Sequence, residues 1–271
     1  MLQKMKKIMG SKLWDIIWLI CGWSILITVS SLSFDPNAGV AMVSEAEQSS
    51  VIRMNWIWFI VTLVGAVLAP LIVNFMANQK VKIGSGLGII GAGLDVANYW
   101  HMGIIGSVMT AVWAFITYIK AFISFSKKSS GDDGKFQAAK TSKKDLIVCG
   151  AVALIGCTVA VTLYFAPVSL FAGSFMEANI MSIQGDPMWI KICNIILIVS
   201  MMISQYLLTA GNSSAWFAWI VTNILQIITA GYAAFGTGEM GNPAYFIVGI
   251  MFIINTVKGC VMWYEPASEK A

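Results

Sequence analysis

Charged residues are scarce in this sequence: Asp, Glu, Lys and Arg make up 11% of 271 residues, against 58% hydrophobic residues and a mean hydropathy of +0.78. A chain of this length and composition is too apolar to fold in water. Its apolar residues form blocks of about 20, the length of a helix that crosses the ~30 Å hydrocarbon core. The short alternating segments of a membrane barrel are missing from the sequence. We therefore predict an all-α integral membrane protein whose surroundings are the lipid bilayer.

Residues and motifs for catalysis or for metal and nucleic-acid binding are also missing. The chain has one histidine, His101, and five cysteines without CxxC spacing, so we expect no metal site. No GxxxxGK[ST] motif is present, which argues against ATP hydrolysis. The lysines lie in short loops between apolar blocks rather than on one basic face, so we expect no nucleic-acid partner. Amides and tryptophans dominate the polar groups inside the apolar blocks, and we therefore expect neither an enzyme nor a cofactor.

The lysines mark the loops that we predict to be cytoplasmic. They are concentrated near the amino terminus, in the turn at residues 78–82 and in segment 126–144, which holds six of them. Segment 35–55 has more acidic than basic residues, and segment 168–188 lacks lysine and arginine. The positive-inside rule then places both termini in the cytoplasm. The first apolar block is longer than a usual signal-peptide core and is not closely followed by a convincing cleavage site, so we expect a retained helix.

The apolar blocks predict eight membrane-spanning helices. They cover residues 13–34, 56–76, 84–101, 104–125, 145–167, 189–210, 215–235 and 244–264. The fourth block from the amino end is followed by the basic segment, and the arrangement on its two sides is similar. Because a single span joins two groups of three, both groups have the same orientation in the membrane, which makes the repeat parallel.

We accordingly predict one membrane domain with five parts. These are an extra amino-terminal helix at 1–34, a three-helix repeat at 56–125, a basic cytoplasmic loop at 126–144, a linker helix at 145–167 and a second three-helix repeat at 189–264. Parallel repeats of this kind usually enclose a central site.

The segment 211–236, GNSSAWFAWIVTNILQIITAGYAAFG, contains the most informative polar pattern. Read as a helix, it places Trp216, Trp219, Asn223 and Gln226 on one stripe, because steps of three, four and three residues return to a similar face. Two indole rings beside two amides suit a small, flat, polar molecule taken out of water. The alternative for the tryptophans is an interfacial anchor, and for Asn223 a hydrogen bond between helices.

Three further polar residues lie within other predicted spans. Asp95 and Asn98 belong to the glycine-rich third span, and Asn255 to the last. A carboxylate at membrane depth normally has a partner or a function, so Asp95 is a candidate to bind ribose hydroxyls, balance a cationic ring or carry a proton. The alternatives are an ion pair with Lys258 or a hydrated position near the exterior surface. Asn255 is equally compatible with binding substrate and with joining helices.

The pattern Trp216-x-x-Trp219-Ile220-x-x-Asn223, with Tyr245 and Asn255 further on, resembles the signature of the PnuC-type transporters of nicotinamide riboside and related B vitamins. The resemblance implies a bundle similar to the SWEET transporters, often trimeric, in the bacterial inner membrane. It also implies that a small-molecule substrate crosses the membrane by facilitated diffusion, through an alternating-access mechanism.

The first three-helix repeat, at 56–125, departs from that resemblance in a way that bears on the substrate. From the resemblance we expect one amide shortly after the cytoplasmic turn and another early in the third span of the first three-helix repeat. At these two places the sequence reads GSGLGII and GSVMTAV, and neither segment contains an amide side chain. Nicotinamide riboside is the leading prediction. A deoxynucleoside, thiamine or riboflavin is the alternative substrate, and a membrane enzyme or scaffold subunit is the alternative class.

Overall fold

The computed structural model describes residues 2–32, 34, 55–101, 104–128, 138–174, 177–235 and 244–264, and these residues are helical with short connections. The helices are α1 (Leu2–Met9), α2 (Lys12–Leu32), α3 (Trp56–Ala77), α4 (Val81–His101), α5 (Ile105–Lys128), α6 (Lys143–Phe165), α7 (Glu177–Gly185), α8 (Met188–Thr209), α9 (Ala215–Phe235) and α10 (Ala244–Trp263). A 3₁₀ turn at Val168–Phe171 separates α6 from α7.

Seven of the helices in the described ranges are long and apolar enough to cross a membrane: α2, α3, α5, α6, α8, α9 and α10. The sequence predicts eight, and the difference is α4. Its 21 residues correspond to about 31 Å of helix, which is sufficient length. Its glycines, together with Asp95 and Asn98, give it a lower hydropathy than the others.

The glycines of α4 let it pack closely between α3 and α5. A Cβ atom on Gly88 would lie 2.7 Å from the ring of Tyr118 in α5, and one on Gly91 would lie 2.9 Å from Cδ1 of Ile72 in α3. Since both distances are shorter than a van der Waals contact, larger residues at these two positions would push the helices apart. In the other half of the bundle, α9 packs between α8 and α10. The two groups meet where α5 contacts α8 and where α3 contacts α10.

Hydrogen bonds fasten the start of α6 to the turn between α8 and α9. Ser142 and Asp145 form a capping box, in which each side chain accepts a hydrogen bond from the backbone N–H of the other residue. The Asp145 carboxylate also accepts from the hydroxyl of Tyr206 at 3.1 Å and from the amide of Asn212 at 3.0 Å. The backbone of Ala139 pairs with both Gly211 and Ser213. Residues 139–145 are therefore held against the second helical group.

Two segments outside the eight predicted spans contain short helices. Near the amino end, α1 packs on α10, and the ammonium of Lys6 donates to the carbonyl oxygen of Tyr264 at 2.6 Å. Within the predicted loop at 168–188, α7 is held to α6 because the Gln184 amide donates to the carbonyls of Leu163 and Ala166, at 3.0 and 2.8 Å.

Several sequence predictions concern residues outside the described ranges. These are the acidic segment at 35–55, up to residue 54, and the middle of the basic cytoplasmic loop at 126–144.

Candidate functional site

A cavity of about 440 Å³ lies between the two helical groups, where α3, α4 and α5 face α8 and α9, with α6 and α7 at one side. Small-molecule sites commonly have volumes of ~300–1,000 Å³. Most of its wall is apolar, from residues such as Ala69, Ile198 and Met201. The polar and aromatic residues of the wall are Asp95, Tyr99, Ser107, Thr110, Tyr118, Tyr164, Asn194, Gln205 and Trp219.

Asp95 and Trp219 are the two predicted site residues that line this cavity. They come from α4 and α9, which belong to different helical groups. The Asp95 side chain is exposed although α4 packs between two other helices, because it points into the open space. The Trp219 side chain is half-buried, and its indole N–H has no hydrogen-bond acceptor among the described residues.

Gln205 of α8 supplies a second unpaired donor to the same cavity. Its side chain is 5% exposed, and its amide Nε2 has no acceptor in the described part of the chain. Buried donors are rarely left without an acceptor in folded proteins. A bound molecule with carbonyl or hydroxyl oxygens would satisfy Gln205 and Trp219 together. Asn194, about three turns earlier on the same face of α8, adds another amide to the wall.

The predicted stripe on α9 divides into two lines. At about 100° per residue, Trp216 and Asn223 differ in direction by ~20°, as do Trp219 and Gln226, while the two pairs are ~60° apart. In the structure Trp219 faces the cavity, and the Trp216 and Asn223 line faces α10. Gln226 is half-buried and is not among the residues of the cavity wall.

Trp216 and Asn223 make their contacts with α10. The Trp216 ring is 3% exposed, lies directly over Gly259 and packs edge-to-face on Trp263 with 5.7 Å between ring centroids. The Asn223 amide donates to the hydroxyl of Thr256 at 2.7 Å. Both side chains therefore join two helices of the second group, outside the wall of the cavity.

The remaining predicted residues, Asn98 and Asn255, are also buried outside the cavity wall. The Asn255 amide donates to the carbonyl oxygen of Val73 at 3.1 Å and so connects α10 to α3. Asn98 is 9% exposed, and its side-chain oxygen has no donor among the described residues.

The ion pair considered between Asp95 and Lys258 does not form. Lys258 is completely buried and is paired with Asp15 of α2 instead. Its ammonium also donates to Asn74 of α3 at 2.7 Å. The alternative was wrong because Asp15, which the sequence places near the start of the first span, reaches the interior where α2 packs against α3 and α10.

Residues that the sequence analysis did not select complete the cavity. Ser107 and Thr110 come from the GSVMTAV segment, so hydroxyls line the wall in the region where the resemblance leads us to expect an amide. Tyr118 is 9% exposed and stands over Gly88. Gln205 could be selected from the sequence because it is an amide in an apolar span. Tyrosines such as Tyr118 are too common at helix surfaces to be selected by residue type.

Three comparisons with known proteins bear on this arrangement. A family model described as nicotinamide mononucleotide transporter matches residues 50–265. Comparison with curated protein sequences gives no match. The fold is similar to the crystal structure of the vitamin B3 transporter PnuC, with a TM-score of 0.59 and 18% sequence identity, covering 96% of this chain and 94% of the other. At that identity the likeness concerns the fold.

Proposed function

Because the chain belongs to the nicotinamide mononucleotide transporter (PnuC) family, whose model matches residues 50–265, we propose that it takes up nicotinamide riboside or a related ribosyl vitamin precursor. The observation that carries the proposal is the cavity between the helical groups, which combines Trp219, Asp95 and the unpaired amide of Gln205. A flat heteroaromatic ring stacks on an indole, and ribose and carboxamide groups supply the hydrogen-bond acceptors that the wall needs.

Within this site we assign substrate contact to Trp219 and Asp95, supported by Gln205 and Asn194. The other residues selected from the sequence lie behind or beside the wall, at Trp216, Asn223, Gln226, Asn98 and Asn255. Through their contacts with α10 and α3, Trp216, Asn223 and Asn255 contribute to transport by holding the helices that carry the wall.

For the architecture we propose eight membrane helices, with α4 as the eighth beside the seven apolar ones. In this arrangement α2 is the extra helix, α3, α4 and α5 are the first repeat, α6 is the linker, and α8, α9 and α10 are the second repeat. The central position of α4 between α3 and α5, matched by α9 between α8 and α10, supports a parallel repeat. Rocking of the two groups around the cavity would give alternating access by facilitated diffusion without catalysis.

The lysine distribution supports cytoplasmic termini, and we propose that the protein lies in the bacterial inner membrane as a homo-oligomer, with a trimer as the expected state. Transport of a different substrate remains the second candidate, since Ser107 and Thr110 give the wall hydroxyls where amides are expected. A deoxynucleoside, thiamine or riboflavin would be taken up in that case. An enzyme or scaffold is the third candidate.

Uptake into proteoliposomes tests these candidates directly. Radiolabelled nicotinamide riboside, thiamine, riboflavin and thymidine are offered separately to vesicles containing the wild-type protein, Trp219→Ala or Phe217→Ala. Phe217 lies on the same helix and is 59% exposed, so it controls for loss of an aromatic ring from α9. We expect uptake of nicotinamide riboside that Trp219→Ala abolishes and Phe217→Ala leaves intact. Absence of uptake of any vitamin or nucleoside would refute a transport function.

A further inference from the structure

Asp95 is the only charged residue among the described residues that line the cavity. It lies in the second half of α4, on the same wall as Gly91, Ala92 and Tyr99. No hydrogen bond or ion pair to it is found within the described part of the chain, and Lys258, the partner considered in the sequence analysis, is paired with Asp15. Its exposure to the cavity leaves the carboxylate available to whatever occupies that space.

A carboxylate inside a membrane protein requires compensation. Moving it from water into low-dielectric surroundings is unfavourable unless a positive charge or several donors approach it. The described wall offers no lysine, arginine or histidine for this purpose. A substrate that brings its own positive charge supplies the missing compensation, whereas a neutral substrate leaves the carboxylate unpaired and an anionic one is repelled.

Trp219 favours the same charge from another helix. An indole ring attracts a cation over its face, and the attraction reaches ~2 kcal/mol or more when water is excluded. Asp95 and Trp219 line one cavity, so a flat ring stacked on the indole stays within the space that the carboxylate also faces. A delocalised cationic ring satisfies both groups at once, while a neutral ring of the same shape satisfies only the stacking.

We propose that Asp95 makes this cavity selective for substrates with a cationic heteroaromatic ring, such as an N-ribosylated pyridinium or a thiazolium, over neutral rings of the same shape. This inference rests on the proposed transport function. It assigns to Asp95 a role in choosing the substrate by charge, in addition to a role in binding it.

The test compares two forms of one molecule, nicotinamide riboside, which is a cation, and its 1,4-dihydro form, which is neutral and nearly isosteric. Uptake into proteoliposomes is measured with the membrane potential clamped at zero, because a potential would drive the cation alone. The proteins are wild type, Asp95→Asn and Asp186→Asn. Asp186 lies between α7 and α8 and is not part of the cavity wall, so it controls for loss of an acidic residue.

We expect the wild type to prefer the cation by about tenfold or more, which corresponds to ~1.4 kcal/mol. Asp95→Asn should abolish that preference, because it slows uptake of the cation far more than uptake of the neutral form. Asp186→Asn should behave as the wild type. If Asp95→Asn fails to fold, Asp95→Ser is measured in its place, with the same expectation.

Two results separate this inference from the function on which it rests. Equal transport of both compounds by the wild type, or an equal loss of both in Asp95→Asn, overturns charge selection and leaves transport standing. Failure of the wild type to transport either compound refutes the transport of nicotinamide riboside, and charge selection with it.

Discussion

Lys258 of α10 and Asp15 of α2 form an ion pair in the interior of the bundle, and the lysine side chain is completely buried. Two amides of α3 complete the cluster: Asn74 accepts from Lys258 at 2.7 Å, and Asn78 donates to both oxygens of Asp15 at 3.1 and 3.2 Å. The extra helix α2 is therefore connected to α3 of the first group and to α10 of the second. We interpret α2 as a structural part of the bundle rather than an appendage.

Removing one partner of this pair is expected to be strongly destabilising. Asp15→Leu leaves Lys258 buried with Asn74 alone and should lower the free energy of unfolding by about 3 kcal/mol or more. Lys258→Met should cost less, because Asp15 is 25% exposed and keeps Asn78. The double variant should recover most of the loss. Denaturant unfolding in detergent measures all three, with the exposed Lys82→Met as control. A double variant as unstable as the sum of the single ones would contradict this account.

The packing of Trp216 on Gly259 predicts a steric effect. A Cβ atom at position 259 falls inside contact distance of the indole ring, so Gly259→Ala must displace Trp216. Overpacking of this kind typically costs about 1–3 kcal/mol. Gly150→Ala in α6 is the matched control, since no atom lies within 4 Å of the new methyl group. Thermal unfolding in detergent should show a lower Tm for the first variant and an unchanged or higher one for the second.

Asn223 and Thr256 are expected to act as one unit. Asn223→Ala and Thr256→Val each remove the same hydrogen bond between α9 and α10, whose worth within membranes averages ~0.6 kcal/mol. We expect similar small losses of stability and of nicotinamide riboside uptake in the two variants, and no further loss in the double variant. If Asn223→Ala abolishes uptake while Thr256→Val retains it, the amide contacts the substrate directly, as the sequence pattern suggests.

Asp145 should contribute to stability through the cap of α6. Asp145→Ala removes the capping box with Ser142 and the bonds from Tyr206 and Asn212. Loss of a helix cap costs about 0.5–2 kcal/mol, and the added bonds place this variant near the upper end. Lys144→Ala, at the adjacent exposed position, is the control. Equal Tm values for the two variants would show that the attachment of α6 to the α8–α9 turn is energetically unimportant.

The helical class and most of the spans follow from the sequence because lipid selects for apolar residues along the whole length of a helix. The exception, α4, is informative. Its many glycines permit close helix approach, and Gly88 and Gly91 contact Tyr118 and Ile72 in this way. The same glycines lower the hydropathy of α4, so its composition indicates a membrane helix less clearly than its packing between α3 and α5 does.

The structure brings only some of the predicted site residues to the cavity, for a geometric reason. Periodicity defines the relative directions of residues along one helix, and it groups Trp216 with Asn223 and Trp219 with Gln226. It contains no information about which neighbour each direction meets. Only the packing of α9 shows that one line faces the cavity and the other faces α10.

By itself, the sequence determined that this chain is an all-helical membrane protein and that its polar groups inside the membrane are few, and it made Trp219 and Asp95 candidates to bind substrate. The tertiary structure alone decided that these two residues share one cavity, that Gln205 joins them, and that Lys258 is paired with Asp15 rather than Asp95. The physical reason is that burial in lipid depends on composition, which is local, whereas the partner of a buried charge depends on helices that lie far apart in the chain.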